Sequence, residues 1–304
     1  MVPGVVGSSP ITHPKAKLSD AVRAIALVAS DNSADVGAGW QDRGVLVRRF
    51  VALGDSFTEG LDDLRPDGTP RGWADLVADV LAESTPDLHY ANLALRSLGI
   101  DAVVDTQVPA AVAMRPDLVT IAAGANDLLS LRVDVSRVVG RMDDALSQLT
   151  ATGASVIVFA GFDPRLQLPT GRLIAGRAAT YNRGICASAV RHGAQLIDLW
   201  TMPQLVDARL WAPDRLHLSP LGHRHIAAVV LQLTGHAAPD GWEVPAEPVR
   251  RQRWLDARAG DLAWSWAHLR PWLVRKIRGR SMGDGLVPKY PALRPWRQES
   301  ADAG

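Results

Sequence analysis

A serine hydroxyl attacks a carbonyl only when one group removes its proton and others receive the charge that builds on the carbonyl oxygen. The stretch Gly54-Asp55-Ser56-Phe57-Thr58-Glu59-Gly60 follows a β-rich run. On a tight strand-to-helix turn the Ser56 hydroxyl is exposed beside free backbone N–H groups that can hold an oxyanion. Asn126, in Gly124-Ala125-Asn126-Asp127, also follows an apolar run and can present its side-chain N–H to the same cleft. Asp214 and His217 stand three apart in Asp214-Arg215-Leu216-His217, where one turn supplies a base and the group that orients it. Each block has a plainer reading as well: a capped Ser/Thr turn, an Asn-Asp turn after a strand, a surface Asp–His pair.

The elements between these blocks must bring them to one place. Residues 47–53, 88–93, 117–123, 155–160 and 194–199 read as five strands, several of them continuous apolar runs. Helical faces are expected over 72–83, 100–114, 132–150, 172–191 and 219–233, the last with Ser219 as N-cap and Pro220 at its first position. Alternating strands and helices, with strands apolar throughout, predict a parallel sheet covered on both faces: a three-layer α/β/α fold. In such sheets functional groups collect beyond the carboxyl ends of the strands. Ser56 and Asn126 both sit there.

Taken together and in this order, GDSFTEG, GAND and DRLH resemble the motif blocks of the GDSL/SGNH serine esterases over roughly residues 49–235. The resemblance implies a flavodoxin-like parallel five-stranded sheet and hydrolysis of carboxylic esters through an acyl-enzyme, with no cofactor and no metal. It implies Ser56, Asp214 and His217 as the catalytic residues, and Ser56, Ser97 and Asn126 as the oxyanion hole. One block departs from the family, whose members usually carry a glycine that donates its backbone N–H. Asn92-Leu93-Ala94-Leu95-Arg96-Ser97 puts Ser97 at that place, and a slip of register puts Gly99 there. A main-chain donor survives the change if serine tolerates the backbone geometry. Resemblance to lysophospholipase-like members favours a small or single-chain acyl ester, with a carbohydrate O-acetyl ester as the alternative. A third reading is a catalytically weak member of the fold acting as a membrane-surface binding module.

Other signals compete less well. Gly279-Arg280-Ser281-Met282-Gly283 spells a nucleophile elbow, but no strand precedes it and no histidine follows it. His217, His223 and His225 suggest zinc, yet His223 and His225 are two apart on a helix and diverge; solvated or capping histidines are the expectation. Gly37-Ala38-Gly39 is too poor for a dinucleotide loop. Cys186, the single cysteine, excludes an intrachain disulfide and reads as a small buried apolar residue.

Composition bounds the remainder. At 304 residues, 47% hydrophobic and 21% charged, the chain has an ordinary globular make-up, and a net charge of +1 offers no field for nucleic acid. The average hides an asymmetry: from Pro248 onward twelve Lys/Arg face five Asp/Glu, against 21 and 27 in the rest. That end also carries Trp254, Trp264, Trp266, Trp272 and Trp296, five of the ten tryptophans. Three regions follow: 1–46 as a disordered extension, 47–237 as the hydrolase domain, and 238–304 as a basic Trp-rich extension, helical in part over 250–279. Either the extension packs on the body or it makes peripheral contact with an anionic membrane. No run is long enough to cross a bilayer and the apolar stretch near Ala24 is brief, so a cytoplasmic location is expected.

Overall fold

The computed structural model describes residues 46–130, 132–166, 168, 171–245 and 285–297. The N-terminal extension expected up to residue 46 (all but its last residue), the helix expected over 250–279 and Ser281 lie outside them. The described residues belong to one compact unit.

Five strands run parallel, as the apolar runs require: β1 (Arg49–Gly54), β2 (His89–Asn92), β3 (Leu118–Ala122), β4 (Ser155–Ala160) and β5 (Gln195–Asp198). The strand count needs correction. Residues Tyr290–Pro295 form a sixth strand, β6, so the order is β5-β4-β3-β1-β2-β6. This strand pairs antiparallel with β2, His89 opposite Pro295 and Asn92 opposite Tyr290. Without it the polar edge of β2 is bare, which is the physical reason for a cover strand. Trp296 follows it, buried, with its indole N–H donating to Asp79 Oδ1 at 2.9 Å. The expected extension after residue 237 thus contributes part of its length to the sheet.

The helices are α1 (Ser56–Glu59), α2 (Gly72–Ser84), α3 (Ile100–Ala102), α4 (Val108–Ala113), α5 (Ala125–Leu128), α6 (Val135–Thr150), α7 (Gly171–His192) and α8 (Pro220–Leu233). Residues on one face of the strands, including Val51, Leu53, Val119, Ile121 and Val158, bury against Ile100, Val103, Met142, Leu146, Tyr181 and Ile185. On the other face α2 and α8 pack together, and Trp73 meets Phe57 and Phe159 at centroid distances of 5.8 and 5.0 Å. Ser219 caps α8 as expected, its side chain accepting from Gly222 N.

The helix expected over 100–114 is interrupted by a π-helical stretch, Val103–Gln107. The interruption turns Gln107 onto the end of β1, where it accepts from Gly54 N at 2.8 Å and donates to Gly54 O at 2.9 Å. π-bulges recur at functional sites for this kind of re-aiming. Among the described residues no helix is long and apolar enough to cross a membrane.

Candidate active site

The carboxyl ends of β1, β2 and β3 bring the first residues together. Gly54 ends β1 at φ +146, where a Cβ would stand 2.3 Å from Ala122 O on the neighbouring strand. Only glycine lets the chain turn there so close to β3. Asp55 then caps the short helix α1, accepting from Phe57 N at 3.1 Å, and Ser56 opens that helix. After β3, Gly124 at φ +93 leaves room for Tyr181, whose hydroxyl donates to Ala123 O at 2.5 Å. Asn126 follows two residues later, in α5.

His217 arrives from the loop before α8. Trp211 and Leu218 bridge across this loop, and Ala212 N donates to His217 O at 2.9 Å. Asp214 organises the turn between them. Its Oδ1 accepts from the N–H groups of Leu216 and His217, both at 3.0 Å, with Arg215 in the left-handed region at φ 56. Its Oδ2 lies 2.5 Å from His217 Nδ1, and His217 Nε2 lies 3.0 Å from Ser56 Oγ. A hydroxyl, an imidazole and a carboxylate therefore form one chain of hydrogen bonds. Burial alone would push the Asp214 carboxyl up, but the hydrogen bond and charge of His217, with the two N–H groups, outweigh it and hold it at about 2. Burial likewise opposes the His217 imidazolium, yet Asp214, Asp62 and Asp55 raise its pKa above the ordinary histidine value. With Asp214 charged, the neutral imidazole carries its proton on Nδ1 toward that carboxylate, which leaves Nε2 facing the serine as acceptor.

Ser97 takes a left-handed conformation, φ 66. The chain at this point has the geometry that favours glycine, and a serine occupies it. Its neighbours are tied to the site on both sides. Arg96 N donates to Glu59 Oε2 at 2.7 Å and the Arg96 guanidinium pairs with the buried Glu59 carboxylate, while Leu98 O accepts from Asn126 Nδ2 at 3.0 Å. Gly99, by contrast, caps α3 at φ −84. Among the described residues neither Ser56 N–H nor Ser97 N–H has a protein acceptor. Asn126 Nδ2 also donates to Asp55 Oδ2 at 3.1 Å, so its amide is held by two acceptors. Asp55 is buried, and burial, opposed by the Phe57 N–H, pushes its carboxyl up to about 6.

His223 and His225 are buried rather than solvated, and His223 takes a capping part at the first turn of α2. His223 accepts from Trp73 N through Nδ1 at 3.2 Å, and its Nε2 lies 2.9 Å from Leu61 O; His225 Nδ1 accepts from Val244 N at 3.2 Å. Each ring satisfies main-chain groups that α8 would otherwise cover without partners. Cys186 is half-buried, its thiol pushed up to about 11 by burial, which makes it a poor nucleophile. Asp62, Asp214 and His217 bring potential ligand atoms within 4.8 Å of one another, but Nδ1 of that histidine is already engaged with Asp214.

Sequence reasoning missed four contributors: Asp55 on Asn126, the Glu59–Arg96 clamp, Gln107 on Gly54, and Asp62 beside His217. Asp55 and Glu59 lie inside the quoted GDSFTEG block, and Arg96 lies in the stretch Asn92–Ser97. Gln107 left a faint signal as an amide among Val103, Val104 and Val108.

Residues 52–225 match the model of the GDSL-like Lipase/Acylhydrolase family, more than half of the chain. Among curated proteins no relative matches. Among solved structures, an α/β hydrolase, LAE5, from the metagenome of Lake Arreo is 20% identical, with a TM-score of 0.52, over 62% of this chain and 95% of its own. The acetylxylan esterase Axe2 from Geobacillus stearothermophilus, as a catalytic mutant, is 16% identical, with a TM-score of 0.52, over 65% and 96%. A lipase/acylhydrolase from Enterococcus faecalis is 19% identical, with a TM-score of 0.51, over 62% and 96%. At these identities the likeness is one of fold.

Proposed function

The chain belongs to the GDSL-like lipase/acylhydrolase family and is an ester-hydrolysing enzyme, and from that premise we propose that Ser56 is its nucleophile, His217 its general base and Asp214 the group that orients the base. The observation that carries this reading is the hydrogen-bond chain, 3.0 Å from Ser56 Oγ to His217 Nε2 and 2.5 Å from His217 Nδ1 to Asp214 Oδ2. Nε2 takes the hydroxyl proton as Ser56 Oγ bonds to the ester carbonyl carbon. The charge on the carbonyl oxygen is received by the N–H groups of Ser56 and Ser97 and by the Asn126 amide. For Asn126 this means offering one of its two protons to the oxyanion while Asp55 and Leu98 O share the other. Collapse breaks the C–O bond, and the imidazolium returns its proton to the leaving alcohol. A water deprotonated by His217 then releases the acid and restores Ser56.

For the substrate, a small or single-chain acyl ester is the reading we favour. Its support is the exposed apolar surface of Leu166 and Leu173, which follow β4 on the carboxyl-end side of the sheet, as Ser56 follows β1. Hydrolysis of p-nitrophenyl esters from acetate to decanoate tests both parts. Activity that vanishes in Ser56→Ala and rises from acetate into the medium chains supports the reading. A sharp preference for acetate favours the O-acetyl alternative, and activity retained in Ser56→Ala contradicts the mechanism.

A further inference from the structure

Asp62 stands on the far side of the imidazole from Ser56. Its Oδ2 lies 3.5 Å from His217 Nδ1, the same nitrogen whose proton Asp214 holds. The histidine side chain is only 13% exposed and that of Asp62 is 45% exposed, so the pair is partly shielded from solvent. Asp62 is held there at a backbone cost, in the left-handed region at φ 65. Aspartate and asparagine visit this region more readily than other residues with a Cβ. Both of its chain neighbours are anchored. Leu61 O is joined to His223 Nε2 at 2.9 Å, while the buried Asp63 carboxylate takes the Arg71 guanidinium at 3.0 and 3.1 Å and Gly72 N at 3.2 Å. The loop is thus built to hold one acidic residue against the base.

We propose that Asp62 is a second positioning carboxylate for His217: it shares the Nδ1–H with Asp214, stabilises the imidazolium formed when Ser56 gives up its proton, and becomes the acceptor for Nδ1–H when Asp214 is removed. The proposal rests on the assignment of His217 as the base. The charged and titratable groups that act on this ring are Asp214 from its own turn, Asp62 from the loop after α1 and Asp55 from the end of β1, with the buried His223 on α8 coupled to it electrostatically. Of these, only Asp214 and Asp62 pair with Nδ1.

The test is Asp62→Asn, which keeps the size of the side chain and the tolerance for positive φ. A carboxylate this near an imidazole favours its charged form, by less than a buried partner does because Asp62 is half in water. Removing the charge therefore lowers kcat/KM on the pH plateau by about 3- to 10-fold with KM unchanged. The acid limb of the pH profile moves to lower pH, because a less basic His217 is neutral over a wider range. An NMR titration of the His217 ring shows the same displacement in the free enzyme, a readout that a merely structural role would not move. In an Asp214→Ala background Asp62→Asn costs more than it does in the wild type, since Asp62 is then the acceptor that remains. An unmoved His217 ionisation, or a cost no larger in the Asp214→Ala background, overturns the proposal. If the ring titration shifts but no ester is hydrolysed by any variant, the functional reading fails and the role of Asp62 on His217 stands.

Discussion

Replacing Ser97 with glycine separates the main chain of the proposed oxyanion hole from its side chain. Ser97 sits at φ 66, and a residue with a Cβ pays roughly 1 to 2 kcal/mol for a left-handed conformation. Glycine removes that strain but gains freedom in the unfolded chain, which returns about 0.5 to 1 kcal/mol. The Ser97 hydroxyl makes no hydrogen bond among the described residues, so no polar contact is lost. The balance is a stabilisation of about 0.5 to 1 kcal/mol, a rise of about 1 to 4 °C in Tm for a domain of this size. The N–H remains in place, so kcat/KM is expected within about threefold of wild type, since a retained donor forfeits none of the stabilisation it supplies. Ser97→Val, with a β-branched side chain at positive φ, is expected to lower both. Thermal melts and steady-state kinetics on one ester measure these effects. A Tm that falls by more than 2 °C in the glycine variant (~0.5 to 1 kcal/mol at this size), or a loss of activity like that on removing a donor, refutes the reasoning. The activity loss would mean that the Ser97 hydroxyl takes part directly; the lower Tm would mean that the strain relieved at φ 66 is smaller than the entropy glycine adds.

Two further substitutions probe the neighbouring machinery. Asn126→Ala removes a donor whose contact strengthens mainly in the transition state, so kcat is expected to fall by about 10² to 10³ with KM little changed; a loss confined to KM would argue for a ground-state role. Lys289→Met strips one charge from the buried cluster in which Lys289 Nζ lies 2.9 Å from Asp75 and donates to the carbonyls of Pro70 and Arg71. Breaking a buried pair costs about 3 to 5 kcal/mol. Arg65 still pairs with Asp75 at 2.8 Å, so about 1 to 3 kcal/mol is expected. A Tm lowered by less than 1 °C (under ~0.5 kcal/mol) would show that this lysine does not anchor β6.

What the chain discloses by reading depends on how local the cause is. Apolar runs such as Leu118–Ala122 announce strands because burial on both faces demands apolar residues at every position. The Asp214–His217 turn is similarly local, its geometry set by one carboxylate and two adjacent N–H groups. Strand β6 is different. Its sequence, YPALRP, carries two prolines and mostly exposed residues, and its pairing with β2 joins residues some 200 positions apart. No periodicity encodes that choice; an uncovered edge does. The π-helical step at Val103–Gln107 is hidden for a related reason, since its apolar residues fit an ordinary helix and only the bonds from Gln107 to Gly54 show why the register slips. Asp62 reads as one acid in an acidic loop until the fold sets it beside His217.

The central claim, that Ser56 is activated by His217, is tested most directly by locating a covalent adduct. The enzyme is treated with a fluorophosphonate, which phosphonylates an activated serine, and the modified peptide is identified by mass spectrometry. The account predicts a single adduct on Ser56, absent from Ser56→Ala, slowed strongly in His217→Ala and unaffected by Ser281→Ala. An adduct that persists in Ser56→Ala, or that maps to Ser281, would contradict it.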